Sequence, residues 1–183
     1  MVEGKCWYAL AVKPQHEGRV FQGLKELADI EGFLPTFKDK RIWSDRVKIL
    51  DAPLFPGYVF ARFEYPARRV PVLRVAGVRS IIGFGPAPSP LAEEEIGTIR
   101  TLVNSSFPVR PWPFLRAGQR VRVEHGPLRG VEGIILEQKD EWRMVVSVEL
   151  LQRSVSVLLD RSVLKGVSPG AVAPKPSPLV RTV

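Results

Sequence analysis

The sequence predicts two units, an α+β sandwich over residues 1–105 and a small all-β, five-stranded barrel over residues 116–167. Three observations carry this. Helix-like and strand-like apolar patterns alternate as far as Ser105 in the order β-α-β-β-β-α-β-α. Asn104 to Pro113, NSSFPVRPWP, then interrupts the pattern with three prolines and two serines, so residues 106–115 read as a linker. Beyond it the chain becomes valine-rich and turn-punctuated, the habit of a compact barrel.

The elements follow in order. Cys6 to Val12 is short, apolar and led by aromatics, which predicts a strand. Val20, Phe21, Leu24, Leu27 and Ala28 make one helical stripe, so a helix is expected from Gln15 to Glu31, with Gly32 as its C-terminal cap. Phe33 to Phe37 and Arg46 to Leu50 are expected strands flanking a basic loop, and Pro35 confines the first to a sheet edge. PLFPGYVFARF, Pro53 to Phe63, adds a strand after a Pro-Gly turn. A short helix near Arg68 to Val75 and a strand in GVRSIIGFG come next. Ser89-Pro90 then starts a last helix, with Glu93 to Glu95 complementing its dipole and Ile96, Ile99, Leu102 and Val103 as its buried stripe. After the barrel, residues 168–183 hold four prolines and no acid, so disorder is expected there.

PLFPGYVFARF raises a question. Successive strand residues point to opposite faces, so Tyr58 and Phe60 share one face while Val59, Ala61 and Phe63 share the other. Both faces are apolar. Either the strand lies between two packed layers, or a partner supplies one of them.

With 183 residues, 45% of them hydrophobic and 25% charged, the chain has the composition of a globular protein with a sizeable core. No apolar run reaches the roughly 18 residues of a membrane span, and the N-terminus lacks the pattern of a signal peptide, so no membrane role and a cytoplasmic location are expected. The single cysteine, Cys6, excludes an internal disulfide. A net charge of +8 favours an acidic partner such as nucleic acid.

The most specific stretch is Gly118 to Ile135, GQRVRVEHGPLRGVEGII: two alternating strand residues, Val121 and Val123, a sharp turn at His125-Gly126-Pro127 followed by Leu128, then Gly130 and Gly133. By itself it is a tight turn in some small barrel. It also resembles the KOW motif of ribosomal proteins and of NusG-type transcription factors. The first unit separates these: Trp7-Tyr8, a helix, Phe55-Pro56-Gly57-Tyr58-Val59-Phe60, then Gly77-Val78 and a proline-rich turn before a final helix, an ordered set similar to the NusG N-terminal (NGN) domain. The resemblance covers roughly residues 6 to 166. Within the family, KRIWSDR at Lys40 to Arg46 followed by PLFPGY looks more like the specialised paralogues that act at selected operons than like the general factor.

The resemblance implies that an apolar face of the NGN sheet docks on the clamp helices of RNA polymerase. The matching residues are Trp7, Tyr8, Phe55, Pro56, Tyr58 and Phe60, with Ile81 and Phe84 as further candidates; ordinary core packing is the competing account of the same aromatics. Lys13, His16 and Arg19 at the first strand-to-helix junction, and Lys40, Arg41 and Arg46, with Lys38 and Lys48 beside them, are candidates for contact with non-template DNA or nascent RNA, or else are solvated surface. The KOW unit of relatives engages the ribosome, the terminator Rho or an RNA hairpin. A monomer without cofactor or metal is expected, and the valines of Val145 to Val157 favour strands over the helical hairpin that one specialised relative forms here. Enzymatic signatures are poor. His16 and His125 fall in different units, no phosphate-binding glycine motif occurs, and GVSPG at Gly166 to Gly170 matches GxSxG only at the start of the tail, so no catalytic residue is assigned.

Overall fold

The computed structural model describes residues 4–42, 47–84, 87–115, 118–138, 141–159 and 167–169. The first unit runs β1 (Lys5–Val12), α1 (Glu17–Lys25), β2 (Glu31–Phe33), β3 (Thr36–Ile42), β4 (Val47–Pro53), β5 (Tyr58–Glu64), α2 (Arg69–Arg74), β6 (Val78–Ile81) and α3 (Glu93–Asn104). Four strands form one sheet in the order β2-β5-β1-β6, while β3 and β4 pair only with each other as a two-stranded ribbon. β5 is therefore central, and its two apolar faces are explained by two packed layers. On one face Val59, Ala61 and Phe63 join Tyr8, Leu10, Val20 and Leu24 of α1 and Val72 of α2. On the other, Phe60 joins Trp7 and Ala9 beneath Ile96, Ile99 and Leu102 of α3.

The second unit comprises β7 (Val109–Trp112), β8 (Gln119–Val123), β9 (Glu132–Gln138), β10 (Glu141–Val148) and β11 (Arg153–Leu159), joined antiparallel in the order β8-β9-β10-β11-β7, with β12 (Val167–Pro169) added beside β8. Four strands, β8 to β11, and no helical hairpin make up this part of the chain among the described residues, as the valine density predicts. The buried cluster under α3 continues through Val109 into the core of this unit, which contains Val121, Val123, Leu128, Met144 and Val157.

Several local expectations are corrected. α1 ends at Lys25, not Glu31, because Glu31 to Phe33 pair with Arg62 to Phe60 of β5; Asp29 takes a positive φ of 64° in the turn between. Gly32 is thus a strand residue rather than a cap. Its missing side chain matters, since a Cβ would sit 3.3 Å from the Phe21 ring. The strand expected from Phe33 to Phe37 divides at Pro35, giving β2 at the edge of the sheet and β3 in the ribbon. α3 begins at Glu93 rather than beside Ser89, whose hydroxyl instead accepts the Phe84 N–H at 3.1 Å. Leu91 is held by its N–H to the Trp7 carbonyl at 2.8 Å, and the first helical turn is closed when Glu95 accepts the Ala92 N–H at 3.1 Å.

The segment expected as linker also contributes structure. Val109–Trp112 pairs with Trp112↔Ser154 through Val109↔Val157, and Pro111 is accommodated because β7 is the last strand of its sheet. Val167–Pro169 pairs with Val123 to Val121, at the start of the tail where disorder was expected; the remainder of the tail lies outside the described residues.

Candidate functional site

The stretch that carries the resemblance folds as a turn. Phe55 accepts the Tyr58 N–H at 3.1 Å, with Pro56 and Gly57 between them and Gly57 at φ 84°, the positive value that the third position of a type II turn requires. Leu54 N–H donates to the Pro35 carbonyl at 2.9 Å, and the Gly57 carbonyl accepts Val12 N–H at 2.9 Å. The Gly57 N–H goes to a side chain: Glu17 Oε1 accepts it at 2.8 Å. Glu17 is 6% exposed in the first turn of α1, so a buried carboxylate ties that helix to the turn. Sequence reasoning missed Glu17, because an acid in a first helical turn is already accounted for by the helix dipole.

The structure disperses the eight candidate docking residues. Trp7, Phe55 and Phe60 are 1%, 1% and 0% exposed and belong to the core below α3. Phe55 meets Phe60 edge-on with centroids 5.5 Å apart, and Phe33 lies 6.1 Å from Phe60 and 6.3 Å from Trp7. Tyr8 is buried on the opposite face of the sheet, where its ring meets Phe63 at 4.9 Å and Ile81 packs against the same cluster. Burial, then the neighbouring Cys6 and Tyr65, push the Tyr8 phenol above its usual pKa. Adjacent strand residues point apart, so Trp7 and Tyr8 cannot share a surface. Pro56 is exposed, Tyr58 is half-buried, and Phe84 stands in solvent on the loop after β6.

Polar groups frame Trp7. Its indole N–H donates to Glu93 at 3.1 Å, Arg62 lies 3.7 Å from Glu93, and Arg100 pairs with Glu31 while stacking 5.1 Å from Trp7 and 5.2 Å from Phe33. These half-exposed pairs contribute little stability individually but hold α3 in register over the sheet.

Pro56 and Gly57 open onto a groove of about 1080 Å³ whose apolar walls include Phe21, Leu34, Phe37, Pro53 and Pro111. Asp39 and Asp51 lie on it, the first 3.4 Å from Arg110 of β7 and the second 2.7 Å from Lys38. Of the basic candidates, the set at the start of α1 lies beside it. Pro14, Gln15 and Gly18 line the groove beside Lys13 and Arg19, both exposed, whereas His16 is half-buried with Nδ1 2.9 Å from the Pro14 carbonyl oxygen. Lys40 and Lys48 are exposed on the ribbon, near whose end Ile42 and Ile49 are 78% and 64% exposed. Arg41 pairs through its backbone with Lys48 in that ribbon, and Arg46 lies outside the described residues.

In the second unit the glycine pattern acquires its reason. Gly126 and Gly130 take φ of 82° and 84°; between them the loop closes by Gly130 N–H to the Val123 carbonyl at 2.7 Å, with Leu128 fully buried and Pro127 exposed. Gly118 takes φ of 140° just before β8. A Cβ on Gly133 would lie 2.6 Å from Met144 Cγ and 2.7 Å from the Val145 carbonyl oxygen, so β9 and β10 approach there only without a side chain.

Among the described residues no group of three or more His, Cys, Asp or Glu side chains is placed to hold a metal ion, and no helix is long and apolar enough to cross a membrane.

Comparison with known proteins agrees with the architecture. Residues 5–100 match the family model described as "Transcription termination factor nusG". A protein of Buchnera aphidicola subsp. Baizongia pistaciae named "Transcription termination/antitermination protein NusG" is 30% identical over 173 residues, covering 88% of this chain and 96% of the relative. The protein of the same name from Escherichia coli K12 is 29% identical over 174 residues, covering 86% and 94%. The solved structure described as "Domain interaction in Thermotoga maritima NusG" covers 90% of this chain and 97% of its own at a TM-score of 0.54 and 21% identity, a likeness of fold. With the NGN-like sheet, the KOW-like glycine loop and relatives matched over nearly their whole length, this chain belongs to the NusG family of transcription termination/antitermination factors.

Proposed function

We propose that this protein binds RNA polymerase through the surface around Pro56 and Tyr58 and keeps the polymerase in its elongating state, suppressing pausing and termination, as a specialised antiterminator does at selected operons. One observation carries this reading: the PLFPGY turn, which bears the family resemblance, borders a large groove with apolar walls, and the Glu17 carboxylate on the same groove braces it through the Gly57 N–H. A braced, partly apolar surface suits a helical partner, because contacts made without ordering a loop retain more of their binding energy. The buried Trp7, Phe55 and Phe60 support that surface rather than forming it. By preferring the closed polymerase, such a wedge acts through binding free energy alone and without catalysis. Lys13 and Arg19 on one side of the groove and Lys40 on the ribbon are the residues we assign to phosphates of non-template DNA or nascent RNA. The KOW unit is the site we assign to a second partner, the ribosome, Rho or RNA.

The test is binding of purified wild-type and Tyr58→Ala protein to core RNA polymerase, with circular dichroism confirming the fold. Loss of tenfold or more in affinity, roughly 1.4 kcal/mol, is expected for a residue at the centre of an interface. Unchanged binding refutes the assignment. The relatives' names join termination to antitermination, which favours a second reading in which the protein assists Rho. Transcription through a terminator with and without Rho separates the two: read-through rises under the first and falls under the second. A plain KOW-type RNA-binding module, in contrast, keeps its RNA affinity and shows no polymerase binding in either variant.

A further inference from the structure

Residues 108–115 connect the two units, and the second unit holds them at three points. The Pro108 carbonyl accepts the Leu158 N–H at 3.1 Å, and β7 then pairs along the outer edge of β11, from Val109↔Val157 to Trp112↔Ser154. At Trp112 the Arg143 guanidinium of β10 lies over the indole, 5.6 Å from its centroid. Beyond Pro113 the chain meets the hydroxyl groups of β10 and β11: Leu115 N–H donates to Ser154 Oγ at 3.2 Å, and the Leu115 carbonyl accepts from Ser147 Oγ at 2.7 Å. Ser147 and Ser154 alternate with Val146, Val148 and Val155 of the core cluster, so this hold is on the face of the sheet away from that core.

The third hold is a closed ring. Ser147 and Ser154 stand opposite each other in the β10–β11 register, with their hydroxyl oxygens 2.7 Å apart. A hydroxyl has one proton to give. Ser147 gives its proton to the Leu115 carbonyl, so Ser154 is the donor between the two hydroxyls, and it accepts the Leu115 N–H in turn. Every member donates and accepts once, and the bonds of such a loop polarise one another and fail together. The other holds are weak. Of residues 108–115 only Val109 is buried, Arg110 reaches Asp39 of the ribbon through an exposed pair, and Pro108, Pro111 and Pro113 bring no N–H to the edge. Ser156, opposite Arg110 in the register, is buried with its hydroxyl unpaired among the described residues, a cost that is relieved when the edge is uncovered.

We propose that residues 108–115 form a releasable strap, locked by the ring of Leu115, Ser154 and Ser147. Closed, it covers the edge of β11 and leaves only residues 105–107 as free connection after α3. Open, it bares that edge and lengthens the tether of the second unit to the whole of the segment from α3 to β8. A bare strand edge pairs readily with another extended chain, and β11 is buried on both faces, so the strap also keeps this edge from adventitious pairing. The strap makes no call on RNA polymerase, so it stands or falls apart from the function proposed above.

The experiment is native-state hydrogen exchange of the full chain followed by NMR, reading the Leu158 N–H bonded to the strap, the Leu115 N–H in the ring, and the amides paired between β9 and β10. In wild type the first two should exchange roughly tenfold or more faster than the β9–β10 amides, because the strap opens without the unit unfolding. S147A/S154A removes the ring, and Trp112→Ala weakens the strap from its own side while leaving the residues of β8 to β11 unchanged. Each should speed Leu158 exchange roughly tenfold further, the worth of about one hydrogen bond, with the β9–β10 amides as in wild type. Those amides also report folding, and if S147A/S154A does not fold, Trp112→Ala decides. The proposal is overturned if Leu158 and the β9–β10 amides share one rate in wild type, if either folded variant leaves Leu158 unchanged, or if the β9–β10 amides speed up as much as Leu158.

Discussion

Replacing Phe55 by alanine distinguishes a core aromatic from a docking anchor. The ring is 1% exposed, lies edge-on to Phe60 at 5.5 Å, and shares the cluster beneath α3 with Trp7, Ile96 and Ile99. Truncating a buried phenylalanine costs about 3–5 kcal/mol, and the lost edge-to-face pair falls within or slightly above that range. Against a stability of roughly 5–15 kcal/mol this is a large fraction. With a urea m-value of about 2 kcal/mol/M, the midpoint of unfolding should fall by roughly 2 M. Urea titration followed by far-UV circular dichroism reads this directly, and tryptophan fluorescence, to which Trp7 of the same core contributes with three others, follows the unfolding in parallel. A loss below about 1 kcal/mol would refute the reasoning, since a ring so poorly coupled to the core would be free to face a partner. The same magnitude means that lost polymerase binding in a Phe55 variant cannot be assigned to docking, which is why Tyr58 is the residue to test.

Glu17→Ala should remove the partner of the half-buried Gly57 N–H and cost about 1 kcal/mol, with faster hydrogen exchange at Gly57 than elsewhere in the turn; unchanged exchange would show that the carboxylate does not brace it. Gly133→Ala should destabilise the second unit by about 1–3 kcal/mol, because the Val145 carbonyl oxygen 2.7 Å from the new Cβ is backbone and cannot turn aside; calorimetry should show the unit melting earlier. The raised pKa of Tyr8 means that the neutral phenol is favoured in the fold, so its contribution is fully present below the unfolded value of about 10 and is lost as pH rises through the higher folded value. Tyr8→Phe should remove that alkaline component from the stability profile, and an unaltered profile would count against the burial argument.

Much of the fold was legible because its signals are local. The period of Val20 and Leu24 marked α1, the Pro-Gly pair marked the turn before β5, and the glycine spacing from Gly118 to Gly133 marked the KOW loop. The errors share one cause. α1 was expected to run six residues too far because Leu27 and Ala28 continue its period, yet pairing of Glu31–Phe33 with β5 claims the following segment. Val109–Trp112 was expected as linker because of its prolines, yet an edge strand tolerates them where a partner strand is at hand. In each case a distant strand decided.

The candidate site divides in the same way. The aromatic content of the first unit, the turn at Pro56-Gly57 and the placement of basic residues on β3 and beside α1 are properties of the sequence, set by residue type and short-range spacing. Which aromatics lie in the core and which reach solvent was settled only by tertiary structure: α3 covers Trp7 and Phe60, Tyr8 packs in the cluster with α1 and α2, and Phe84 is left exposed. The physical reason is that burial belongs to a pair of surfaces. A strand's alternation says which residues face together, but the element that covers that face comes from elsewhere in the chain, as α3 does here some thirty residues beyond β5.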